Sequence, residues 1–79
     1  MTPQQLLKVI AIACAQVLGV EPEEVSIRSH FELDLAAGPE ERVQIFSLVQ
    51  HALQVELDPE ELQDVLTIQA LIELLEDAE

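Results

Sequence analysis

Four stretches of this chain repeat apolar residues at helical intervals, and none alternates with the period of two that a strand needs. In the first, Leu6, Ile10, Ala13 and Val17 recur, flanked by Leu7, Val9, Cys14 and Leu18, which predicts a helix with one buried face. Thr2-Pro3-Gln4-Gln5 reads as a capping box with proline at the first helical position. Gly19 stands where a left-handed residue would end that helix. The second pattern runs from about Pro39 to Gln54. Ile45, Phe46, Leu48, Val49, Ala52 and Leu53 cover one arc, while Gln44, Ser47, Gln50, His51 and Gln54 cover the other. Val43 falls among the polar positions and is expected to be exposed. A third, short helix opens at Asp58-Pro59-Glu60-Glu61 and carries Leu62 and Val65. Thr67 caps a fourth, whose buried stripe is Ile68, Leu71, Ile72 and Leu75. Its last acids, Glu76 and Asp77, oppose the helix dipole, so fraying is expected there.

The long connection from Val20 to Leu35 has its own logic. Glu21-Pro22-Glu23-Glu24 suits a single helical turn, and Val25, Ile27, Phe31, Leu33 and Leu35 are expected to anchor the loop on the bundle. It closes on an over-specified helix start. Gly38 suits the cap and Pro39 the first position, while Glu40 and Glu41 complement the dipole. No Ser, Thr, Cys, Lys or His lies between Asp34 and Glu41, so no side chain there can be acylated or phosphorylated. The expected architecture is all-α: one domain over residues 1–79, a four-helix bundle with three main helices and a short third one.

Composition narrows the function. Sixteen acids against three basic residues give a formal charge of −13, which repels phosphate backbones and anionic lipid. Nucleic acid and membrane are therefore not expected as partners, and the complement of this surface is a basic patch on another protein. No apolar run reaches the roughly 18 residues of a membrane span, and no signal-peptide layout opens the chain. The expected compartment is the cytoplasm. The lone Cys14 excludes an internal disulfide and reads as a small core residue.

Several of these segments resemble the acyl carrier protein family. Val17-Leu-Gly-Val-Glu-Pro-Glu-Glu-Val25 is similar to the end of that family's first helix. Phe31 and Asp34-Leu35 match its loop, Val43, Ile45, Val49 and Leu53 its second helix, and Leu57 the apolar residue before its third. Thr67-Ile-Gln-Ala-Leu-Ile72 matches the start of its fourth, and residues 31–72 align without a gap. The resemblance implies a serine at the start of the second helix, within Asp-Ser-Leu, that receives 4′-phosphopantetheine. Here Gly38-Pro39-Glu40 fills those three positions, and proline has no hydroxyl. The family also docks enzymes through apolar residues one, four and eight positions after the serine. Those positions hold Glu40, Val43 and Ser47, of which only Val43 keeps its character.

No enzyme chemistry is expected. Glu40/Glu41 and Glu60/Glu61 each occupy a first helical turn, where dipole complementation accounts for them. His30, Glu32 and Asp34 have no established metal-ligand spacing. Neither catalytic nor metal residues are assigned, and no cofactor is expected. The leading expectation is a carrier-like domain without the attached arm, acting as a scaffold or regulatory subunit of an acyl, polyketide or peptide pathway. Its docking surface would comprise Glu40, Glu41, Val43, Ser47, Glu60, Glu61 and Asp64. Two alternatives stand beside it. One is a genuine acyl or peptidyl carrier with an altered attachment site, which would bear 4′-phosphopantetheine. The other is a helical bundle that binds lipid non-covalently. The nearly acid-free first helix, with Ile12 at the edge of its buried arc, also makes self-association conceivable.

Overall fold

A computed structural model describes residues 1–78. Helix α1 spans Pro3–Leu18, a 3₁₀ turn covers Pro22–Glu24, and α2 spans Pro39–Leu53. The short α3 follows at Pro59–Gln63 and α4 at Ile68–Ala78. The described residues contain no strand, only an isolated antiparallel bridge between His30 and Thr67. The all-α architecture read from the periodicity is the observed one.

The helix ends form as their sequences dictate. Thr2 accepts the Gln5 N–H while the Gln5 side chain accepts the Thr2 N–H, so both halves of the capping box are present. Gly19 ends α1 at φ +73°, a conformation that costs glycine nothing. Asp58 accepts the Glu60 N–H, and the Thr67 hydroxyl accepts the Ala70 N–H at the head of α4. At the end of α2 the left-handed residue is Gln54, φ +56°, in a role glycine usually fills.

One aliphatic core joins the helices. Helix α1 packs against α2, α4 and the 3₁₀ turn. Leu6, Ile10 and Cys14 of α1 meet Ile45 and Val49 of α2 and Ile68, Leu71, Ile72 and Leu75 of α4 in one buried cluster. Phe31, fully buried, brings the long loop into this core and meets Phe46 edge to face at 5.5 Å between ring centres. Burying such a ring contributes roughly 3 kcal/mol, and the edge-to-face geometry about 0.5–1.5 kcal/mol more. Backbone bonds then fix the loop's course: the Phe31 N–H donates to the Leu66 carbonyl and the Ile68 N–H to that of Ser29.

Some expected positions differ. Of the five loop anchors, Val25, Phe31 and Leu35 are buried, but Ile27 is 39% exposed and Leu33 82% exposed. A single ring and two aliphatic side chains suffice to hold the loop, and the bends between them turn the other two outward. In α2, Leu48 and Ala52, expected within the buried arc, are exposed. Gln50, expected on the polar side, is half-buried. Its carboxamide oxygen accepts the Leu57 N–H at 2.8 Å, and its nitrogen donates to the Phe46 carbonyl. Val65 lies beyond the end of α3 and is buried there.

Candidate functional site

The loop delivers the chain to α2 through a tight arrangement of its own. The Asp34 and Leu35 N–H groups both donate to the His30 carbonyl, and Ala37 N–H donates to that of Phe31 at 2.7 Å. Ala36, between them, sits at φ +55°, which costs a residue with a Cβ roughly 1 kcal/mol. Ala37 is fully buried beside it. The loop therefore holds the start of α2 in a fixed place.

Of the His30, Glu32 and Asp34 trio, the His30 and Asp34 side chains are engaged within the turn itself. Nδ1 of His30 accepts the N–H groups of Glu32 and Leu33, and the Asp34 carboxylate accepts the His30 N–H at 2.6 Å. These side chains satisfy the backbone of the turn that they belong to. Among the described residues no three His, Cys, Asp or Glu side chains are placed to hold a metal ion.

Gly38 is the cap of α2 and Pro39 its first residue, exposed to solvent. Glu41 folds back toward the cap, with its carboxylate 3.3 Å from where a Cβ on Gly38 would lie. The pyrrolidine ring of Pro39 presents carbon only. Ser47 lies two turns further along the same face, and Ser26 and Ser29 bond to each other back in the loop. None of these three serines brings a hydroxyl to the head of α2.

Beyond Pro39, α2 and α3 enclose a groove of about 420 Å³. Val43, Phe46, Leu57, Pro59 and Leu62 supply its apolar walls, and Arg42, Ser47, Gln50 and Gln63 its polar edges. Of the expected docking residues, the structure brings Val43 and Ser47 together in this groove. Val43 is 66% exposed, and with Val17 and Leu48 it also lines a second, shallow depression. Glu40, Glu60, Glu61 and Asp64 are exposed outside the groove, and Glu41 is half-buried against the cap.

The residue that the sequence reading passed over is Arg42. Its Nε is buried and has no hydrogen-bond partner among the described residues, an arrangement that costs about 1–3 kcal/mol. The signal was present: Pro39, Arg42, Val43, Phe46 and Gln50 follow at helical spacing and share one face. Buried sites elsewhere are chemically quiet. Cys14 is enclosed in the core, and burial pushes its thiol pKa from 9.0 up to about 11. Among the described residues no helix is long and apolar enough to cross a membrane.

A family model described as a phosphopantetheine attachment site matches residues 8–75, most of the chain, from within α1 to within α4. No curated protein matches the chain.

Proposed function

This chain belongs to the phosphopantetheine-attachment family, and we propose that it acts there without the attached arm, through contacts with other proteins. Domains of this family are carriers and not catalysts, and they normally bear 4′-phosphopantetheine. The observation that carries the proposal is Pro39. At the exposed first position of α2, where the resemblance puts the acceptor serine, stands a ring with no oxygen to form a phosphodiester.

The surroundings support the same reading. Two of the three places where the family carries apolar docking residues hold Glu40 and Ser47, leaving Val43 alone among them. Glu40, Glu60, Glu61 and Asp64 are exposed, and Glu41 is partly so. Such a surface suits a basic patch on a scaffolded or regulated enzyme of an acyl, polyketide or peptide pathway in the cytoplasm.

The test is incubation with coenzyme A and a broad-specificity phosphopantetheinyl transferase, followed by intact mass. The expected outcome is an unchanged mass, and the gain of one arm would identify a genuine carrier with an unusual acceptor. Because the loop and the start of α2 are already formed, Pro39→Ser combined with Gly38→Asp and Glu40→Leu is expected to become a substrate. For the partner surface, Glu60→Lys with Glu61→Lys is expected to weaken binding to an identified basic partner and to flatten its salt dependence.

A further inference from the structure

We propose that the outward ridge of α1 pairs, antiparallel, with the same ridge of a second copy of this chain. The ridge shares no residue with the head of α2 or with the acidic surface. The pairing therefore stands or falls apart from the reading that the domain works without an attached arm.

The placement of charge selects the occupant. All sixteen carboxylates lie from Glu21 onward, and none falls between Glu41 and Glu56. Helix α1 therefore carries no acid, and α2 carries only the two in its first turn. Two chains at −13 repel wherever their acids meet, but two α1 ridges can touch without bringing carboxylates together. A basic partner finds no acid to pair with on α1, and a polyanion finds only Lys8.

The ridge is also complementary to itself. Gln5, Lys8, Ile12, Gln16 and Gly19 follow at intervals of three and four residues, and all five are exposed, Ile12 at 47%. Neither end of α1 is compensated: its first turn holds no acid and its last turn no base. The positions three and four away from Lys8 hold Gln4, Gln5, Ala11 and Ile12, so its own helix offers the ammonium no acid. An antiparallel crossing at Ile12 sets Lys8 against Gln16 of the second copy, and Gln5 against its Gly19. The ammonium then lies by the negative end of the other helix, whose last carbonyls lack donors within the helix. Gly19 leaves open space where a Cβ would stand, which lets the second helix approach. The carboxamides of Gln5 and Gln16 each donate and accept, as a two-fold contact requires.

Sedimentation equilibrium of the full chain tests the association. One helix crossing is smaller than a standard interface, so a dissociation constant on the order of 100 μM is expected. It should tighten several-fold as sodium chloride rises from about 50 mM to about 500 mM, the reverse of docking on a basic partner. Ile12→Lys and Lys8→Glu, both at exposed positions, are each expected to weaken it at least about tenfold. Geometry is read by diamide oxidation of single-cysteine additions. Ile12→Cys should form a linked dimer at least about tenfold faster than Gln16→Cys or the loop variant Leu33→Cys. In the antiparallel pair two copies of residue 16 stand about 12 Å apart along the helix, beyond the reach of a disulfide. A monomer at millimolar concentration, a dimer that loosens with salt, or undiminished association of Ile12→Lys would each overturn the proposal. So would linking through Gln16→Cys or Leu33→Cys as fast as through Ile12→Cys.

Discussion

Single side chains in this domain differ sharply in what their surroundings allow. Cys14 is the only thiol, and the core raises its pKa from 9.0 to about 11. Well below pH 9 the thiol is neutral in both the folded and unfolded chains and contributes no pH dependence. Between about pH 9 and 11 the unfolded chain ionises while the folded one resists, so stability falls as pH rises. The loss through that window is expected to be on the order of 2 kcal/mol. Urea unfolding of wild type and Cys14→Ala at pH 8 and pH 10.5 checks this: the alanine variant should lack that part of the decline. Gly38 offers a second case. An aspartate there would cap α2 well, but its Cβ would lie 3.3 Å from the Glu41 carboxylate. Gly38→Asp alone is therefore expected to be close to neutral. With Glu41→Gln it should stabilise by roughly 0.5 kcal/mol, a coupling that a double-mutant cycle would read.

The elements are joined by a few polar contacts as well as by carbon. Gln50 ties the last turns of α2 to the segment before α3 through the Leu57 N–H. Gln50→Leu leaves that N–H without its acceptor and is expected to cost about 1–3 kcal/mol. Gln50→Glu keeps an acceptor oxygen and loses only the bond to Phe46, so it should cost less; chemical denaturation of both variants checks the order. The helices themselves were legible in the sequence because their ends are written in side chains: Thr2, Gly19, Asp58 and Thr67 each do the local work expected of them. Other features had no local signature. A glutamine at a polar position turns inward only because a distant N–H lies within reach. Ile27 and Leu33 sit in a loop with no period to assign them a side, and they ended up exposed. The head of α2 was legible down to Gly38 and Pro39, whereas the groove needed α3 placed opposite Arg42 and Phe46 before it existed.

For the whole molecule, charge is the dominant long-range term. Sixteen acids on a 79-residue domain repel one another, and only three basic residues offset them. Raising sodium chloride from about 20 mM to about 500 mM is expected to raise the melting temperature by roughly 5 °C, as screening shortens the range of that repulsion. A flat or falling response in thermal unfolding would contradict it. The bridge between His30 and Thr67, with the bonds from Phe31 to Leu66 and from Ile68 to Ser29, has a different effect. It makes the middle of the first loop and the head of α4 a single seam, though other elements lie between them in sequence. Opening one side strips the amides of the other, so the Phe31 and Ile68 amide protons should trade for deuterium at a common rate, as one cooperative unit.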